Sequence, residues 1–463
     1  MSPRRQIHLA AHFPGVNHHT VWSDPTAGSQ IDFASFAHLA RTAERGLFDY
    51  FFLAEGQRVR EHRGRIFDLD VVGRPDALTV LAALAAVTDR IGLAATATAT
   101  YNEPYELARK LASLDHVSGG RAAWNAVTSP DAWTGENFRR GGFLPRGQRY
   151  ERATEFVDTV RAVWDSWAPD AVVADREAGV FAPDGDTGIG RFTRAGKHFA
   201  IEGAATVPRA PQGHPVLIQA GDSDEGREFG AAYADVIFTP HGALAERQAF
   251  FADVKGRLAK YGRHRDELKV MPGAGFVLGA TDEEARERAE EVRRHQISPQ
   301  NALHFLEQVW GRDLSDLDPD GPLPDFDPDV EAQADISQGR VRLFRDPLAV
   351  ARQWRERAAA QGLSIRELVI EVFARPGFVG SPSTVAALID EYVQSEACDG
   401  FILVPTVIPH GLDEFVETVV PLLQERGSFR TAYTGSTLRD HLGLGAPRAS
   451  THSEGAEPGH LAV

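Results

Sequence analysis

Short runs of apolar, β-branched and aromatic residues recur along the chain. They fall at Ile7–His12, Tyr50–Ala54, Ile91–Thr98, Ala122–Thr128, Val216–Ala220, Val236–Thr239, Lys269–Leu278 and Gly400–Val404. Between most of them, apolar positions return with a helical period. This predicts helices over Phe33–Arg45, Ala77–Val87, Pro104–Leu114, Ala153–Trp167, Glu225–Tyr233, Ala245–Tyr261 and Asp282–Arg294, with a last one at Leu412–Glu425. Runs such as PVLIQAG are continuous rather than alternating, which suits parallel strands covered on both faces. Eight strands, each followed by helix, is the count of an α/β (β/α)8 TIM barrel.

Length changes that picture in one respect. A bare barrel needs about 250 residues, and the chain has 463. The expectation is one barrel domain over residues 1–445 enlarged by insertions, with residues 446–463 a tail lacking periodicity. Three segments read as insertions: Asp131–Arg149, Ala168–Ala210 with its glycines as loop or short hairpin, and Gln296–Pro347. The acidic stretch DLSDLDPDGPLPDFDPD lacks the spacing and closing glutamate of a calcium loop and reads as a solvated loop. The helix DEEARERAEEVRR reads as a solvated face with i, i+4 pairs.

Charge and cysteine content narrow the classes. The chain carries 49 basic and 65 acidic side chains, a net charge of −16. That argues against nucleic acid or an anionic membrane as partner. It leaves room for a local anion site built from backbone N–H groups. A lone cysteine, Cys398, allows no intramolecular disulfide and no multi-cysteine metal site. MSPRRQIHLAAHF reads as a first strand rather than a secretion signal, and no apolar run reaches the length of a membrane span. A soluble cytoplasmic protein is the expectation.

In a (β/α)8 barrel, residues at strand C-termini gather at one mouth, where the chemistry is done. His12, His18, His19 and Trp22 fall there, as do Glu55, Thr98, Thr100, Tyr101, Asn102, Asn125, Thr128 and Ser129. Gln219, Gly221, Asp222, Ser223, Thr239 and His241 complete the set. Asp115 and His116 fall at the opposite end, with Asp115 expected to cap or pair near Arg121. The segment QAGDSDEGRE ends a strand at Ala220, turns at Gly221 and opens a helix near Ser223. Free N–H groups there favour a phosphate, or else Ser223 is simply a helix cap. No G-x-G-x-x-G, Walker loop, G-x-S-x-G elbow or H-E-x-x-H is present. A mononucleotide is therefore favoured over a dinucleotide of Rossmann type, and no metal site is expected.

The mouth segments resemble the bacterial luciferase-like flavin monooxygenases. Within them, they resemble the group of nitrilotriacetate monooxygenase component A, the pristinamycin synthase large subunit and dibenzothiophene sulfone monooxygenase. The resemblance rests on AERGLFDYFFLAE, TATATYNEPYELARKLASLDHVSGGRAAWNAVTS, GQRYERATEFVDTVRAVWDSW, RAPQGHPVLIQAGDSDEGREFGAAYADVIFT, FVGSPSTVAALIDEYV, DGFILVP and VVPLLQERGSFR. It implies a barrel that takes reduced FMN from a separate NAD(P)H-dependent flavin reductase. Dioxygen and a flavin hydroperoxide then oxygenate a small organic substrate. It further implies a homo-oligomer, dimer or tetramer.

By motif, the resemblance places FMN contacts at Glu55, Thr98, Arg146, Tyr150, Gly221, Asp222 and Ser223. Glu55 stands where relatives often carry Asp, and Arg146 where they often carry His. An arginine there stays protonated and could contact a phosphate or an anionic substrate instead. His19 and His12 are the candidates for managing a proton at the reaction centre, and Asn125 for a hydrogen bond to the flavin ring. The long insertions are natural lids that keep water out. Two other readings stay open: a flavin-binding protein without turnover, and a deazaflavin-dependent oxidoreductase of the same superfamily.

Overall fold

Strands form at all eight expected places. They are β1 (His8–Phe13), β2 (Tyr50–Leu53), β3 (Gly92–Thr98), β4 (Ala122–Val127), β5 (Val216–Ala220), β6 (Val236–Pro240), β7 (Lys269–Leu278) and β8 (Gly400–Val404). In the computed structural model each pairs in parallel with its sequence neighbours, and β8 returns to β1 through His8↔Gly400, closing the barrel. A short strand, Gly377–Gly380, adds to the end of β7 from outside the ring. The structure describes residues 4–17, 19–66, 74–129, 132–138, 146–182, 190–331, 337–338, 346–373 and 377–447. Most of the expected tail, from residue 448 on, His18, and parts of the expected insertions lie outside them.

The outer helices are α1 (Phe33–Arg45), α2 (Ala77–Ala85), α3 (Pro104–Ser118), α4 (Arg146–Asp165), α5 (Asp224–Tyr233), α6 (Leu244–Arg257) and α7 (Asp282–Gln296). Local chemistry sets their ends. Pro104 opens α3, and Gly119, at φ 70°, stops it in a conformation that costs glycine little. α4 begins at Arg146, seven residues before the apolar period appears, so the expected insertion over 131–149 ends in helix. Its first turns, RGQRYER, are polar, and hydrophobic periodicity is silent there.

The insertions carry more structure than the sequence suggested. Within 168–210, Arg191–Ala195 and Ala200–Ala204 form the antiparallel hairpin. The segment 296–347 is not loop alone, because it opens with helix α8 (Pro299–Trp310). α9 (Pro347–Gln361) and α10 (Ile365–Phe373) pack on α8 around Leu306, Trp310, Trp354, Ile365 and Leu368. The acidic stretch between them is solvated, with Asp327 paired to Arg355 at 3.0 Å. α11 (Pro382–Gln394) and α12 (Asp413–Glu425) complete the helical layer.

The bottom of the barrel is held by a repeated device. An aspartate stands immediately before β2, β6 and β8. Its backbone N–H donates to the preceding strand and its carboxylate accepts that strand's N–H. Asp49 takes Leu9 N at 2.9 Å, Asp235 takes Leu217 N at 2.9 Å, and Asp399 takes Val270 N at 2.8 Å. Each buried carboxylate has basic partners: Arg430 and His8, Arg439, and Lys255 with Arg5 respectively. Burial opposes ionisation of Asp49, but Arg430 and His8 outweigh it and hold the pKa at about 2. Arg430 and Arg439 arrive on the segment after α12, whose Leu438, Leu442 and Leu444 plug the barrel against Ala10, Ala94, Ala123, Val216 and Ile402. A plugged lower end leaves the upper end as the open one.

Candidate active site

Side chains alternate along a strand. Ala10, Phe52, Ala94 and Ala123 belong to the barrel's interior cluster. Two and four residues further on, His12, Thr96, Thr98 and Asn125 therefore form the top interior layer, the floor of the mouth. Thr98 is buried, and its Oγ1 accepts from Thr100 N at 3.1 Å and Ser129 Oγ at 2.9 Å. Asn125 donates to Thr96 Oγ1 at 3.0 Å and leaves its own Oδ1 buried without a partner. His12 stands edge-on to Phe52, ring centroids 5.0 Å apart, with both ring nitrogens unpartnered. Burial, with the charges of Arg74 and His19, lowers its pKa to about 3, so the ring is neutral at pH 7. It can share a lone pair or an N–H, but it holds no second proton to give.

Beside this floor, between the ends of β5–β8 and α7, lies a cavity of about 520 Å³. Of the expected mouth residues, His12, His19, Gly221, Asp222, Thr239 and His241 line it. Gly273 and Gly275 keep its floor open, and a methyl group on Gly275 would meet nothing nearer than the Val404 carbonyl at 3.9 Å. Phe238, Phe276, Val277 and Phe378 give it apolar walls. His19 is fixed through its backbone, its N–H on Asn17 Oδ1 at 2.7 Å and its carbonyl accepting from Gln296 Nε2 at 2.6 Å.

Gly221–Ser223 forms the turn into α5. Ser223 caps the helix, its Oγ accepting from Gly226 N at 3.2 Å. Tyr150, from α4, reaches the same turn. A methyl group on Gly221 would lie 2.7 Å from Gln219 Nε2 and 3.6 Å from Tyr150 Oη, and one on Gly226 would lie 3.2 Å from that hydroxyl. Only small residues permit this close approach. Asp224, in the first turn of α5, is drawn away by Arg257 at 2.6 Å, while Arg227 folds back onto the Asp222 carbonyl at 2.9 Å. The turn thus offers the free N–H groups of a helix start, a phenol and a nearby guanidinium, all suited to a phosphate. Asn125 Oδ1 on the floor suits a ring N–H. The residues fit FMN on both counts.

Other expectations resolve differently. Glu55 sits half-buried away from the cavity lining, accepting from Gln57 Nε2 at 3.0 Å. Burial, then Asp76, raises its pKa to about 7 against the opposing Gln57 bond. The side chain of Arg146 lies outside the described residues. Asp115 pairs near Arg121 as expected, accepting from Ala122 N at 3.0 Å and from Gln212 Nε2 at 2.6 Å, while the Arg121 guanidinium serves the carbonyls of Ala85, Thr88, Ile91 and Ser118. His116 is exposed and touches the Pro208 carbonyl. On the outer rim, His38, His410 and Asp413 bring donor atoms within 4.8 Å of one another and tie α1 to the segment after β8. No local spacing announces residues so far apart in the chain. Arg293 and Gln296, also on the cavity wall, were missed because their helix reads as a solvated face.

Comparison with known proteins agrees with this arrangement. The family model described as luciferase-like monooxygenase matches residues 15–397. Nitrilotriacetate monooxygenase component A of Aminobacter aminovorans is 41% identical, over 97% of this chain and 99% of that protein. N-acetyl-S-(2-succino)cysteine monooxygenase of Bacillus subtilis (strain 168) is 39% identical, over 96% and 98%. The crystal structure of riboflavin lyase with modified FMN and riboflavin superposes with a TM-score of 0.77 at 28% identity, covering 96% of this chain and 98% of that one. The chain belongs to the luciferase-like monooxygenase family and is an FMN-dependent enzyme, acting with a separate reductase component to oxidise a small organic substrate with dioxygen.

Proposed function

We propose that the mouth divides its labour between a cofactor side and a substrate side. The Gly221–Ser223 turn, with Tyr150 Oη and the Asp222 backbone, holds the FMN phosphate. Thr98 and Asn125 seat the ring, and Glu55 borders it from β2. The cavity beside β5–β8 takes the substrate. The observation that carries this reading is that the turn and the cavity share Gly221 and Asp222 as a common border.

Bound reduced FMN supplies the activation of dioxygen that no side chain here can provide. The chain's own part is position, dryness and proton control. Phe238, Phe276 and Phe378 exclude water from the reacting centre. His12, kept neutral, accepts or donates a hydrogen bond without bringing a charge into the site. His19, at the mouth of the cavity, exchanges protons with solvent. We also propose that the enzyme works in the cytoplasm, in keeping with its buried lone Cys398. A homo-oligomer, dimer or tetramer, is in keeping with the exposed Trp22, Ile31 and Phe33.

The test is a coupled reaction with NADH, a flavin reductase, FMN and isotopically heavy dioxygen over a panel of amines, sulfides, sulfones and sulfonates. The expected result is a product bearing one heavy oxygen atom, seen by mass spectrometry. If every substrate returns unlabelled and all reducing equivalents appear as hydrogen peroxide, the reading is wrong.

A further inference from the structure

The C-terminal half of α7 presents Ala289, Val292, Arg293 and Gln296 to the cavity. Their spacing places them on one stripe of the helix. Three of the four are small, apolar or already engaged, since Gln296 donates to the His19 carbonyl. Arg293 differs. Elsewhere on the same helix, Arg286 pairs with Glu283 at 3.2 Å and Arg288 with Glu284 at 2.9 Å. The Arg293 guanidinium has no hydrogen bond or ion pair among the described residues, and the residue is half-buried.

The charges around the cavity make this guanidinium stand out. Among the described lining residues, Asp222 is the one carboxylate, and it is exposed on the rim beside the phosphate turn. His12 and His241 are both held neutral, chiefly by burial, with pKa values of about 3 and about 4. The remaining wall is largely aromatic and aliphatic. A fixed cation facing such a wall attracts an oxyanion more strongly than it would in open water. The carbonyls at the end of α7 make it tolerable for the cation to stand there alone.

Resting on the division of the mouth proposed above, we infer that the organic substrate carries a carboxylate and that Arg293 binds it, leaving the apolar part of the molecule against the phenylalanine wall. The guanidinium fork matches a carboxylate through two parallel N–H bonds, which fixes orientation as well as affinity. Arg293 is then a specificity determinant: it selects anionic molecules and sets which atom faces the floor of the mouth.

The experiment measures binding rather than turnover, so it does not depend on the oxygenase reaction. Thiodiglycolate and its dimethyl ester are titrated calorimetrically into the full-length protein with and without FMN, for wild type, Arg293→Met and Arg293→Lys. The expected result is a loss of about 10–100-fold in thiodiglycolate affinity in Arg293→Met. Arg293→Lys should fall between, and ester binding should be the same in all three. Folding of each variant is checked by thermal melting, and the lysine variant keeps the test decisive if the methionine variant melts early. Equal thiodiglycolate affinity in wild type and both variants overturns the inference. So does a wild type that fails to prefer the acid to the ester. An Arg293→Met protein that loses FMN but not riboflavin affinity overturns it too, because the guanidinium would then serve the cofactor phosphate. Absence of labelled oxygen in product would instead strike the oxygenase reading and leave this result standing.

Discussion

Ser223 does two jobs that can be separated. Its hydroxyl caps α5, and its position beside Asp222 puts it against the proposed phosphate. Aspartate is as good a helix cap as serine, so Ser223→Asp should leave the helix intact while adding a negative charge. FMN binding should weaken by about 1–3 kcal/mol with riboflavin binding unchanged, read by paired fluorescence titrations. Equal losses for both flavins would place the phosphate elsewhere. Glu55 offers a second test. Its folded pKa of about 7 lies above the ordinary value of 4.5, so the folded state binds the proton more tightly than the unfolded chain. Its contribution to stability is full below pH 4.5 and is lost as pH rises through 7. Glu55→Gln should flatten that part of the stability curve, measured by denaturant unfolding across pH 4–8.

At the level of elements, the aspartates before β2, β6 and β8 explain why the barrel closes in register at its lower end. Each one binds both the N–H and the carbonyl of the preceding strand, and so forbids slippage. Asp49→Asn would leave Arg430 facing a neutral amide, and chemical denaturation should show a loss of about 3–5 kcal/mol. In the wild type the Asp49 contribution is present above the unfolded value of 3.8 and disappears as pH falls through about 2. This clamp was legible in hindsight: DYFFL, DVIFT and DGFILV each put aspartate directly before an apolar run. It went unread because a polar residue at a strand edge looks like any turn residue until the neighbouring strand is known. The helices α8, α9 and α10 were unread for another reason. The alternation of strand and helix gives no place to helices that pack on one another.

For the whole molecule, the net charge of −16 works against an incoming phosphate. Added salt screens that repulsion. FMN association should therefore speed up by about 2–5-fold between low and physiological ionic strength, whereas riboflavin should not respond. Stopped-flow fluorescence with the two flavins checks this, and an FMN rate that falls with salt would mean that local cations dominate the approach.

The order of strands and helices, the mouth at the strand C-termini and the small-residue turn at Gly221–Ser223 were determined by the sequence itself. Each follows from local periodicity or from a few adjacent residues whose chemistry permits one backbone path. Tertiary structure decided what meets what. It brought Tyr150 from α4 onto that turn, left His12 neutral by surrounding it with apolar groups, and swung α7 so that Arg293 faces the cavity. Charge state and pairing depend on neighbours distant in the chain, and a one-dimensional pattern contains no distances between them.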